Sequence, residues 1–217
     1  MKTNFKQATV CAVILLGAVA PASALVGVVS TNWVGSQAIP DNNASGVAFT
    51  FYLNTPGPAV ITDVTVDLTI AGGWDGDIYA YLSHGSGFSV LLNRVGRTAG
   101  NPNGFGVPGL NVQFSDSYLT DIHTFSGNPL IGNFAPDGRN VNPFGALDTD
   151  PRNAVLGSFT GQDPNGTWTL FFADVSPLAV STVQSWTVTV GTTVPEPGSA
   201  TLFGLAVLFG FARRSRS

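Results

Sequence analysis

Two pairs of aspartates sit at a spacing that suits cation chemistry. Asp75 and Asp77 flank Gly76, and Asp148 and Asp150 flank Thr149. Carboxylate oxygens presented by loops are the hard ligands that Ca²⁺ takes. These four residues are therefore the candidate metal ligands, and Ca²⁺ is the candidate ion. A complete calcium-loop signature is missing, and an aspartate in a turn serves equally well as an acceptor for backbone N–H groups. Beside the first pair stands Trp74, which precedes the turn and is the aromatic best placed to face an external ligand.

Acyl-transfer chemistry needs a nucleophile, a base and an orienting acid. The chain has two histidines, His84 and His123, and abundant serines. His84-Gly85-Ser86-Gly87 lies between two strand candidates and reads as a hairpin loop. It lacks the G-x-S-x-G elbow of a hydrolase nucleophile. The reading is of a protein without catalytic residues.

Between residues 25 and 193 there is no lysine and no glutamate, and four arginines face twelve aspartates for a net charge of −8. Nucleic acid is excluded as a partner, because phosphate binding needs a basic footprint. The only cysteine is Cys11, so no disulfide is available and a hydrophobic core must supply stability. The length of this stretch suits one such core.

The elements that would carry these residues are strands. With 26 glycines and 14 prolines in the chain, helices would be interrupted everywhere, and the apolar residues alternate with a period of two. Residues 47, 49, 51 and 53 form one apolar face; so do 64, 66, 68 and 70, and so do Ile78, Ala80 and Leu82. Trp168, Leu170 and Phe172 repeat the pattern, as do Trp186, Val188 and Val190. Such alternation marks half-buried strands, with shorter ones at 88–92 and 110–114 and further strands around Val112 and Leu156. The fold class expected is all-β: an antiparallel β-sandwich or jelly roll, with Trp168 and Trp186 in its core.

Both ends carry addresses. Lys2 and Lys6, an apolar stretch from Ala8 to Ala20, and Ala22-Ser23-Ala24 make the three-part pattern of a secretory signal peptide over residues 1–24, cut by signal peptidase after Ala24. At the other end, residues 199–212 are free of charge and are followed by Arg213, Arg214 and Arg216. Fourteen helical residues reach about 21 Å, short of a hydrocarbon core of about 30 Å. Local thinning and snorkelling arginines would still let the segment span as a transmembrane helix, with its C-terminus on the cytoplasmic side.

Val194-Pro195-Glu196-Pro197, the short apolar segment and the arginine cluster resemble the PEP-CTERM sorting signal over 194–217. The resemblance implies that Pro195, Glu196 and Pro197 are recognised by exosortase. It also implies transient membrane anchoring, and release or transfer to the envelope or an extracellular polysaccharide matrix.

A second resemblance lies in the middle of the chain. Val64-Thr65-Val66-Asp67-Leu68, Gly76-Asp77-Ile78, the Pro136 turn and Asn165-Gly166-Thr167-Trp168-Thr169-Leu170 with Asp174 and Ser185-Trp186 are similar to the P/Homo B domain found beside subtilisin-like convertases. The similarity runs over about residues 47–191 and departs from the usual pattern at Asp75 and at Ser181-Thr182-Val183. It implies a sandwich over 25–193 that accompanies catalysis and does not perform it. The expected protein is exported and associated with the envelope or extracellular matrix, where it binds polysaccharide or plays a structural part. The alternative is an accessory domain for a separate subtilisin-like protease.

Overall fold

The computed structural model of the protein describes residues 25–194 apart from 56. The signal-peptide residues with Ala22 and Ala24, the motif Pro195-Glu196-Pro197 and the apolar segment 199–212 lie outside the described residues. Among the described residues, no helix is long and apolar enough to cross a membrane.

Among the described residues nine strands form two sheets. They are β1 (Leu25–Ala38), β2 (Asn43–Leu53), β3 (Val60–Gly72), β4 (Ile78–His84), β5 (Gly87–Asn93), β6 (Leu110–Phe114), β7 (Leu130–Phe134), β8 (Gly166–Asp174) and β9 (Ser181–Val194). One sheet runs β1-β9-β3-β6-β7 and the other β2-β8-β4-β5. The pairs are antiparallel except β6–β7, which is parallel. That pair departs from the purely antiparallel expectation, because the chain crosses over between Phe114 and Leu130 and does not turn back in a hairpin.

Alternation explains the burial. Val64, Val66, Leu68 and Ile70 of β3 are buried, as are Ile78, Ala80 and Leu82 of β4, and Trp168, Leu170 and Phe172 of β8. Because neighbouring side chains on a strand point to opposite faces, each strand gives one row to the space between the sheets. Aromatic rings fill the centre: Phe51 lies 5.0 Å from Trp186 and 6.3 Å from Trp168, and Phe49 lies 4.7 Å from Trp33. Trp168 is fully buried and its Nε1–H donates to Pro164 O at 3.0 Å, so the largest apolar side chain keeps its one polar atom satisfied.

Leu156 does not lie on a strand. It opens a short 3-10 turn, Leu156–Phe159, and packs into the core from there. The turn is pinned by Asp116, whose carboxylate accepts from Leu156 N at 3.1 Å and from Gly157 N.

The loop-rich section after β5 is tied down by hydrogen bonds along β5. Asp137 N donates to Leu91 O, Gly138 N to Val90 O and Val90 N to Ala154 O. Under this flap lies a knot of buried charge. His123 Nδ1 meets Asp137 Oδ2 at 2.7 Å, Arg139 bonds both Asp137 and Asp121, and Arg152 stands 3.7 Å from Asp121.

Candidate functional site

Two glycines with φ of 68° and 62°, Gly72 and Gly73, turn the chain out of β3. Trp74 follows, and Asp75–Asp77 makes one 3-10 turn before β4 begins. Gly76 is there because a neighbouring backbone passes over it: a Cβ on this residue would stand 2.5 Å from Asn103 O and 2.7 Å from Phe105 N. In its place, Gly76 N donates to Phe105 O at 2.9 Å and Asp75 N to Val107 O at 3.0 Å. Arg94 Nε donates to Gly76 O at 2.8 Å. The turn is thus clamped from three sides, and its two aspartates are held in place.

Beside it opens a cleft of about 360 Å³, lined among others by Trp74, Asp77, Phe105, Ser176 and Leu178. Trp74 is 39% exposed and forms part of the wall, as its place before a turn suggests. Of the aromatics on outer strand faces, Tyr81 stacks on Phe171 at 4.8 Å, whereas Tyr52 on β2 stands 67% exposed away from the cleft lining.

One acid, Asp77, lines the cleft, and a second, Asp174, lies next to it in the fold. Asp77 sits against the end of β8, where Val175 N donates to Asp77 O at 2.9 Å and Ile78 pairs with Asp174. Asp77 is 2% exposed and Asp174 not exposed at all, yet the Oδ2 atoms of both have no hydrogen-bond partner. Asp174 Oδ1 accepts from Ser176 N at 3.2 Å. Burial pushes the Asp174 carboxyl up to about 6, with the charges of Asp77 and Asp41 adding to the rise and the Ser176 bond and Arg94 opposing it. Burial also raises Asp77, against the pull of Ser176 and Arg94 and with a further push from Asp41. Asp75 is likewise buried with an unpartnered Oδ2, but burial alone pushes it up to about 8. No charged neighbour acts on it.

The sequence pairs therefore divide. Asp77 faces the cleft, whereas Asp75 stands as a separate buried carboxyl. The second pair does turn work: Asp150 Oδ2 accepts from Leu147 N at 2.8 Å, and Asp148 gives its backbone oxygen to Arg139 at 2.9 Å. The two pairs are not brought together, and among the described residues no three His, Cys, Asp or Glu side chains form a ready metal cage. Asp174 is the residue that the pairwise spacing misses. Its signal was phase: it follows Trp168, Leu170 and Phe172 on the inward face of β8, a position where an acid is costly to bury.

Both histidines are occupied. His84 stacks on Trp168 with ring centroids 4.2 Å apart, and its Nδ1 and Nε2 face Thr167 O and Asp163 O at 2.9 and 2.8 Å. His123 is buried between Asp137 and Arg97 O, which its Nε2 meets at 2.8 Å. Burial pulls its pKa down, but the hydrogen bond and charge of Asp137 and the Arg97 carbonyl outweigh that and leave it raised.

Residues 193–217 match the PEP-CTERM protein-sorting motif. This marks the chain as an exported protein with a sorting signal at its C-terminal end, of the kind processed by exosortase. Among curated proteins no match is found. Among solved structures, the chain is similar over 80% of its length to a protein in the complex of Aeromonas sobria serine protease with its chaperone ORF2, at 16% identity and a TM-score of 0.43. It is similar over 78% of its length to the serine protease of Aeromonas sobria, at 15% identity and a TM-score of 0.41. The chain spans 28% and 27% of those two chains.

Proposed function

We propose that this protein is a non-catalytic binding module of the cell envelope or extracellular matrix, which offers the Trp74 cleft to an extracellular polysaccharide. The observation that carries the proposal is the junction at the end of β9. The last strand ends at Val194 and the sorting motif spans residues 193–217, so removal of the signal after the strand would leave the sandwich whole. In this reading residues 1–24 are a signal peptide and 25–193 the sandwich. Residues 194–217 are the sorting signal, whose apolar segment at 199–212 anchors the chain briefly with its end in the cytoplasm.

Two features support a binding role without catalysis. Both histidines have both ring nitrogens against structural partners, so neither is placed as a free general base. The half-exposed tryptophan over an open cleft is the kind of flat apolar surface on which a sugar ring can stack. The second reading, an accessory domain for a subtilisin-like protease, draws on the Asn165–Leu170 motif. In the fold that motif serves packing: Asn165 accepts from Thr55 N, and Trp168 and Leu170 lie in the core. Those residues leave little for a partner to read, which favours the first reading.

The test is sedimentation of the full chain, in mild detergent, with purified exopolysaccharide or with a secreted subtilisin-like protease. The first reading expects co-sedimentation with polysaccharide that Trp74→Ala abolishes. Co-sedimentation with the protease alone would replace it by the second. Mass spectrometry of the exported chain, with and without exosortase, checks the processing step and expects a C-terminus near Pro195.

A further inference from the structure

We infer that a Ca²⁺ site lies where Asp77, on the wall of the Trp74 cleft, meets Asp174 at the end of β8, with these two residues as its carboxylate ligands. The inference uses the cleft of the proposed function but stands on separate observations. Cation binding without polysaccharide binding would leave it intact while overturning that reading.

Three observations converge. First, the Oδ2 atoms of Asp77 and Asp174 are buried and have no hydrogen-bond partner, in residues that are 2% and 0% exposed. Buried polar atoms in folded proteins are almost always paired, and an orphan calls for an ion or water to complete it. Second, the two acids are adjacent through backbone contacts: Val175 N–H donates to Asp77 O, and Asp174 lies one residue before that donor. Asp174 feels the charge of Asp77, and both acids feel that of Asp41, so the region repels a further negative charge and favours a cation. Third, Asp77 and Ser176 line the open cleft, so an ion has a way in from solvent and water has room to complete its shell.

Arg94 does not close the site by itself. Its Nε is committed to Gly76 O, and it forms no ion pair with either acid among those within 4.0 Å. Its single positive charge also falls short of the two acids it faces, Asp77 and Asp174. Asp41 stands behind the lining residue Leu178, whose N–H donates to its Oδ2 at 3.4 Å, and so ties the β1–β2 turn to the loop after β8. Two carboxylates, backbone or hydroxyl oxygens and several waters make a shell that Ca²⁺ accepts readily, because its coordination is irregular and oxygen-based. Mg²⁺ demands a tighter octahedron, and soft metals prefer sulfur or imidazole. With two carboxylate ligands, affinity should fall in the weak range of extracellular modules, a Kd of about 10⁻⁴–10⁻³ M.

The experiment is a calorimetric titration of the chelator-treated full chain with CaCl₂, alongside Tb³⁺ luminescence excited through tryptophan. The expected result is one saturable Ca²⁺ site per chain. Asp77→Asn and Asp174→Asn each weaken it at least about tenfold, and Asp150→Asn leaves it unchanged. No saturable heat and no change in Tm at about 10 mM Ca²⁺ would overturn the inference, because an ion that binds the native state must stabilise it. So would affinity that survives both cleft substitutions. Should a variant fail to fold, amide NMR of the wild-type chain decides. Ca²⁺ is expected to shift the resonances of Asp77, Asp174 and Ser176 and to leave Leu147 to Asp150 in place; the reverse pattern would overturn the assignment.

Discussion

Besides the lone Asp75, the protein buries acids in two clusters and treats them in opposite ways. Under the flap, Asp137 and Asp121 have all four carboxylate oxygens bonded. Asp137 takes His123 on one oxygen and the Arg139 backbone on the other, while Asp121 takes the His123 N–H and both Arg139 terminal nitrogens. At the cleft, Asp77 and Asp174 are more deeply hidden than Asp121, yet each keeps an unbonded oxygen, with one arginine nearby that bonds a carbonyl instead. A charge buried with its partners holds the chain in one arrangement, although it adds little net stability over an apolar replacement. A charge buried without partners costs free energy in the free protein, which protonation or a cationic ligand relieves. The first region is a clasp for the loops; the second is a receptor.

Breaking the clasp should have the largest effect. Asp137→Ala strips His123 and Arg139 of their shared acceptor, and loss of one member of a buried ionic group costs about 3–5 kcal/mol. Urea denaturation is expected to show that loss, with the flap residues 116–155 losing protection against hydrogen exchange first. The cleft should respond in the opposite direction. In chelator at pH 8, Asp174→Asn removes a buried repelling charge and is expected to raise stability by about 1–2 kcal/mol. A destabilisation of the same size would mean that Asp174 is paired in solution.

The pH dependence sharpens the contrast. His123 has a folded pKa above its ordinary value. Its charge therefore contributes stability that is fully present below about pH 6.5 and is lost as pH rises through the folded pKa. Urea midpoints are expected to fall between pH 6 and pH 9, and Asp137→Asn to flatten that fall by removing the acid that raises the pKa. The smallest effect on stability is expected from Trp74→Ala. Its ring is 39% exposed, so melting should change by less than about 0.5 kcal/mol, while polysaccharide binding is lost.

The sandwich was legible where the inward rows are apolar throughout. β3, β4, β8 and β9 announce themselves through Val64 to Ile70, Ile78 to Leu82, Trp168 to Phe172 and Trp186 to Val190. β1 was hidden because both of its faces are mixed: Val26, Val28 and Val34 point outward at over 70% exposure, while Gly27 and Thr31 share the inward row with Val29 and Trp33. β7 was hidden because Gly132 interrupts a five-residue row between Leu130 and Phe134. Leu156 was misread as a strand because burial alone does not distinguish a strand from a 3-10 turn.

The cleft was half legible. Asp77 and Trp74 stand out by type and spacing, whereas the close approach that Gly76 permits shows only in the fold. Asp174 and Asp41 come from segments 97 and 36 residues distant from Asp77, and only the folded β4–β8 pairing and the turn before β2 bring them near it. The clasp was equally non-local: His123, Asp137 and Arg139 meet because the flap hydrogen-bonds along β5, a contact that no periodicity encodes.

The most direct test of the division between clasp and receptor is a urea titration of the full chain and its Asp174→Asn variant, each with excess calcium and with chelator. The expected result is that calcium raises the wild-type midpoint and leaves the variant unchanged. A midpoint that calcium does not move in the wild type, or moves equally in both, would contradict the account.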